Sequence, residues 1–293
     1  MPNVALVHKS RISRFRRLAL GTWRTTKDPT VYGTLCLEVD KALAYIDAYR
    51  AKTGRRLTLA HLMARAVGRL LVEMPDANTV VRFGRIYQRT EASVFFQVAM
   101  EDPETGQIDL SGLVVRDADK RSLPEIADAF DKAARDVRAG KDEEKEKTRK
   151  SLGKIPGWLI GYVLDLVSFL TYTLNLDLRW AGLPKDPFGS VMVTNVGSLG
   201  IEQAWAPLVP YSRVPLIIAM GAVVKEAVVS DDDTIRIARR MRLCVTFDHR
   251  ILDGAHAAKM SKLVKQWFAD PYGFFGEIPG AREGASVLSA ADG

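Results

Sequence analysis

Val245-Thr246-Phe247-Asp248-His249-Arg250-Ile251-Leu252-Asp253-Gly254-Ala255 begins as a buried strand and ends in a polar turn. A neutral imidazole is the side chain best suited to take a proton near neutral pH, provided its other nitrogen is held. His249 is therefore the candidate general base. Asp253 follows it by four and can anchor the loop by pairing with an arginine. Gly254 permits a turn closed to other residues. A structural histidine satisfied inside the fold is the plain alternative, and spacing alone leaves both open.

A second candidate lies upstream. Ser190–Val193 reads as a buried strand that runs into Thr194-Asn195-Val196-Gly197. A hydroxyl at such a strand end could donate to a developing oxyanion, a large source of catalytic stabilisation. It could equally be satisfied by nearby backbone. The other histidines carry less. His61 sits on an apolar helical run, 58–74, and reads as a core residue. His8 lies in an N-terminal arm read as mobile. His256 opens the last helix, where capping or packing is expected.

Working outward, strands are read at 31–39, 79–83, 93–100, 113–115, 190–193 and 215–224, with a hairpin through the acidic triplet Asp231-Asp232-Asp233. Helices are read at 9–26, 41–52 with Asp40 as cap, 58–74, and 255–270. Another is read at 122–139, with Ser122 and Glu125 as a capping box. Strands and helices mix without βαβ alternation, so the fold class is α+β or mixed-sheet α/β.

Residues 155–176 are apolar with one charge, Asp165. Gly161, Asp165, Ser168, Tyr172 and Asn175 recur at helical spacing as a narrow polar stripe. A helix lying on a partner subunit or on a membrane surface fits that pattern better than a span. The length alone permits a span, and the preceding KEKTRKSLGK keeps the membrane readings open.

The 293 residues carry 42 Lys and Arg against 35 Asp and Glu, a net charge of +7 that favours anionic partners such as a phosphorylated cofactor. No basic stripe is interleaved with aromatics, so nucleic acid is not expected. Cys36 and Cys244 read as two buried thiols, and no ligand cluster suggests a metal. No secretory leader is read, so the expected location is cytoplasmic, with membrane association left open through 155–176.

Together the two motifs carry a resemblance. DHRILDGAHAAKM resembles the active-site signature of the catalytic domain of 2-oxoacid dehydrogenase dihydrolipoamide acyltransferases. SVMVTNVGSLGIEQAWAPLVPYSRVPLIIAMGAV, GLVVRDADKRSLPEIADAF and, more loosely, SRFRRLALGTW resemble its other segments. The resemblance implies an α+β, mixed-sheet two-layer sandwich of the chloramphenicol-acetyltransferase-like, coenzyme A-dependent acyltransferase fold. It implies an obligate homotrimer with active sites between subunits, coenzyme A as substrate, and a dihydrolipoyl-type thiol as the other substrate. His249 would deprotonate the attacking thiol, and Thr194 of a neighbouring subunit would stabilise the oxyanion. Asp253 would hold the loop, and Asn195 and Gly197 would shape the cofactor pocket. The expected organisation is one catalytic domain over 1–278, a charged and apolar helical insertion at about 141–186, and a disordered tail at 279–293. No lipoyl or subunit-binding domain is read, so a lipoyl group would come from a separate protein, and assembly beyond the trimer is open. The rival reading is a non-catalytic trimeric scaffold that binds a partner or membrane through 155–176.

Overall fold

The computed structural model describes residues 2–10, 29–101, 108–138 and 156–278. The expected helix at 9–26, the charge run before 155 and the tail at 279–293 fall wholly or almost wholly outside the described residues.

The centre is a six-stranded mixed sheet. Its strands are β2 (Thr30–Glu38), β5 (Val94–Glu101), β6 (Ile108–Val115), β7 (Val191–Asn195), β8 (Leu216–Val229) and β9 (Ile235–Asp248), in the order β2-β9-β8-β7-β5-β6. β7 runs parallel to both β5 and β8, and the remaining pairs are antiparallel. Alternate residues face one side, as a strand's period of two requires. Leu35 and Leu37, Val94 and Phe96, Val191 and Val193, Leu216, Ile218 and Met220, and Met241, Leu243 and Phe247 all enter one core. On that side lie α1 (Asp40–Thr53), α2 (Leu59–Glu73), α3 (Leu123–Arg138) and α5 (Gly254–Ala269), contributing among others Tyr45, Leu62, Ile126 and Phe268. The result is the expected two-layer α+β sandwich. A short α6 (Pro271–Phe275) follows α5.

Several local expectations hold. Gly54 ends α1 in the left-handed conformation at φ 67°. The Ser122 amide and hydroxyl both donate to the Glu125 carboxylate at 2.7 Å, which holds that carboxyl below its usual range. His61 is 4% exposed. Its Nδ1 accepts from the Thr58 amide, and burial lowers its pKa to about 4.

Others are corrected. The N-terminal arm forms β1 (Leu6–His8), which joins β3 (Thr79–Arg82) and β4 (Arg85–Arg89) in a second, three-stranded sheet. His8 is thus paired with Tyr87, not mobile. The expected strand at 79–83 ends in a turn at Phe83 and Gly84, both at positive φ. Asp40 does not cap α1: it is the helix's first residue, and its carboxylate is drawn to the Arg239 amide and side chain instead. Cys36 and Cys244 are free thiols, as expected, but Cys36 is only half-buried.

The apolar segment departs most. It folds as a twelve-residue helix, α4 (Gly157–Ser168), and then a π-helical turn at Phe169–Thr173. No helix among the described residues is long and apolar enough to cross a membrane. The expected polar stripe is split. Ser168 and Tyr172 point inward, while Gly161 and Asp165 are exposed. The neighbouring apolar Tyr162 and Leu166 are exposed as well, at 69% and 57%. The inward groups have partners that sequence spacing could not supply. Ser168 Oγ accepts from Arg213 at 2.9 Å. Tyr172 donates to Asp186, which also pairs with the fully buried Arg89 at 2.5 Å. Asn3 and Asn175 bond Thr171 and Val4 across to the N-terminal arm.

Candidate active site

β9 delivers His249. Its last residue, Asp248, is 5% exposed. Arg250 folds back and clasps that carboxylate through Nε and Nη2, at 3.0 and 2.6 Å, while its own amide bonds Oδ1. Asp248 O accepts from the amides of Ile251 and Leu252, closing a tight turn. The His249 amide donates to Pro29 O at 2.8 Å, docking the turn beside the start of β2. Ile251 and Leu252 are buried beneath it. The ring is half-buried and meets Phe247 edge-on.

His249 Nδ1 lies 2.8 Å from Leu252 O. A carbonyl oxygen can only accept, so this contact places the ring proton on Nδ1 and the lone pair on Nε2. The arrangement can therefore present a base at Nε2. The holding group is a backbone carbonyl, which no motif reveals.

Asp253 is the N-cap of α5. Its Oδ1 accepts from the amides of Ala255 and His256, both at 3.1 Å. His256 does more than cap or pack. Its Nδ1 lies 2.6 Å from Asp253 Oδ1, and its Nε2 lies 3.3 Å from Asp76 Oδ2.

Thr194 is on β7, and its side chain alternates with the core residues Val191 and Val193, so it faces away from the helical layer. Asn195 Oδ1 accepts from Ser198 N, and Asn195 O accepts from Ser198 Oγ, which winds the following 3-10 turn. Gly197 rides directly on β8, where a Cβ would strike the carbonyl of Gly221. Asn195 and Gly197 thus shape the turn that follows β7 and its seat on β8.

Thr194 and His249 are not brought together in one chain. Thr194 lies level with Ala219, and Ala219 with Cys244. The run from Cys244 to His249 at about 3.4 Å per residue, with two strand spacings of about 4.8 Å each, separates them by roughly 15–20 Å.

The comparisons with known proteins agree with this architecture. The sequence pattern of the 2-oxoacid dehydrogenases acyltransferase (catalytic domain) family matches residues 9–152 and 187–275. The chain belongs to this family. It is 24% identical over 245 residues, 82% of its length, to the lipoamide acyltransferase component of the branched-chain alpha-keto acid dehydrogenase complex of Bacillus subtilis. It is also 24% identical over 271 residues, 90% of its length, to the dihydrolipoyllysine-residue acetyltransferase component of the pyruvate dehydrogenase complex of the same organism. The chain spans about half the length of these relatives, 47% and 50%. Among solved structures, a probable dihydrolipoamide acetyltransferase of Listeria monocytogenes shares the fold. It has a TM-score of 0.61 and 20% identity, over 90% of this chain and 95% of that one. The dihydrolipoamide acetyltransferase of Azotobacter vinelandii matches with a TM-score of 0.61 and 19% identity, over 92% and 93% of the two chains.

Proposed function

We propose that this chain moves an acyl group between coenzyme A and a thiol of the dihydrolipoyl type, as a homotrimer whose active sites are shared between subunits. The observation that carries the reading is the His249 loop, which holds the imidazole with its proton on Nδ1 and its lone pair on Nε2. The separation of Thr194 from His249 supports a site completed by a neighbour.

In this mechanism His249 Nε2 takes the proton of the attacking thiol. The thiolate adds to the thioester carbonyl carbon, and the C=O electron pair moves to oxygen. Thr194 of the adjacent subunit donates its hydroxyl to that oxyanion. Collapse expels the other thiolate, which recovers the proton from the imidazolium. The step is balanced and needs no redox partner. Asp253 fixes the start of α5, and Asn195 and Gly197, in the turn after β7, would shape the cofactor pocket. The net charge of +7 suits the phosphates of coenzyme A. A lipoyl group borne by a separate protein would serve as the natural thiol.

The test is His249→Ala assayed for acetyl transfer from acetyl-coenzyme A to free dihydrolipoamide. Turnover should fall about 10²–10⁴-fold, while light scattering gives an unchanged trimer mass. Unchanged turnover rejects the mechanism. A second reading, a scaffold that binds a protein partner through 155–176, is favoured by the exposed Tyr162, Leu166 and Phe169. Calorimetry separates the two, since a pure scaffold should show no coenzyme A binding at millimolar ligand.

A further inference from the structure

His256 is half-buried on the first turn of α5, and the acyl-transfer mechanism gives it no part. Its two ring nitrogens nevertheless reach two carboxylates from different parts of the chain. Nδ1 meets Asp253 Oδ1 at 2.6 Å, within its own loop. Nε2 meets Asp76 Oδ2 at 3.3 Å, on the 3-10 turn Pro75–Ala77 between α2 and β3. Asp76 in turn pairs with Lys9 at the end of the N-terminal arm. Asp76 is itself held in place, because Thr79 Oγ1 donates to its carbonyl at 2.9 Å.

These contacts form a continuous path to the candidate base. Asp253 Oδ1 receives the Ala255 and His256 amides as well as the His256 ring. It therefore pins the peptide that leaves Leu252. The Leu252 carbonyl is the group that orients the His249 ring. Arg250 and Asp248 secure the near side of the same loop to β9. His256 secures its far side to the α2–β3 turn.

We propose that His256 is a positioning residue, which ties the loop carrying His249 to Asp76 through Asp253 and so sets the direction of His249 Nε2. The inference rests on the acyl-transfer reading for its kinetic consequence. The tie itself is a property of the loop and can be measured without turnover. A base misplaced by about 1 Å can lose on the order of 10²-fold in rate, so a tie of this kind would act on kcat.

The experiment uses the full chain with His256→Ala, Asp76→Ala and the double variant. Two readouts are taken: acetyl transfer from acetyl-coenzyme A to dihydrolipoamide, and hydrogen exchange of the peptide spanning 249–257. Each single variant should lower kcat about tenfold to 10²-fold and leave KM for acetyl-coenzyme A within about twofold. The double variant should be no worse than the poorer single one, because both changes cut one path. The amides of Ile251, Leu252 and whichever residue stands at position 256 should exchange faster in all three. Unchanged exchange overturns the proposal, whether or not the wild type turns over. Faster exchange with unchanged kcat, losses that add fully in the double variant, or a rise in KM matching the fall in kcat also overturn it. If wild-type protein transfers no acetyl group but the variants exchange faster, the tie stands and the acyl-transfer reading fails.

Discussion

His249 Nδ1 is bonded to the carbonyl oxygen of Leu252, three residues ahead of it, at 2.8 Å. The bond closes a small ring of backbone and side chain, and the loop's own main chain selects the tautomer. In protein labelled with 15N-histidine, the His249 ring should show a protonated Nδ1 and an unprotonated Nε2 at neutral pH. A spectrum with the proton on Nε2 would contradict this account of the base.

In the proposed mechanism Thr194 acts through its hydroxyl alone. Thr194→Ala should lower kcat about 10²–10³-fold, the usual loss when one oxyanion donor is removed. Thr194→Ser should retain most of the rate, because it keeps the donor. Steady-state kinetics with both variants makes the comparison. Equal losses in the two would point to packing by the methyl group.

Burial lowers the pKa of His61 from 6.5 to about 4. The unfolded chain binds a proton here as pH falls through the ordinary histidine range, whereas the folded chain resists. Stability is therefore full above that range and declines as pH falls. Between pH 7 and 5 the decline from this group amounts to about 2 kcal/mol. Urea unfolding at the two pH values should show it in the wild type, and His61→Leu should flatten the pH dependence by that amount while losing some stability throughout.

Arg89 is buried, and Asp186 is its carboxylate partner. Asp186→Asn keeps the shape but leaves the guanidinium buried without its counter-charge. Urea unfolding should show a loss of about 3–5 kcal/mol. The same change should loosen the 169–176 segment, because Tyr172 shares the carboxylate. Limited proteolysis should then cut there first.

The sheet and its helical layer were legible because their signals are local and periodic. Leu35 and Leu37, or Val191 and Val193, alternate as half-buried strands do, and the Ser122–Glu125 pair marks a helix start. β1 was missed because it is short and is held by the edge of β4 across a long sequence separation. β4 was missed because its polar residues carry no apolar alternation, although it folds back on β3 through the Phe83-Gly84 turn. Only the first part of the polar stripe on 155–176 faces outward, at Gly161 and Asp165. Ser168 and Tyr172 turn in because they find Arg213 and Asp186 inside. At the site, His249, Asp253 and Thr194 were visible as residue types in a spacing. The Leu252 carbonyl was not visible, because every residue carries one. His256 could have been marked by its place three residues after a capping aspartate, but its contact with Asp76 spans 180 positions.

In the proposed trimer a working site needs His249 from one subunit and Thr194 from another. Co-expressing His249→Ala and Thr194→Ala chains tests it directly. Each variant alone should be nearly inactive. In randomly mixed trimers about a quarter of the interfaces unite an intact His249 with an intact Thr194, so activity should recover to about that fraction of wild type. Activity no higher than the average of the two separate variants would contradict a shared site.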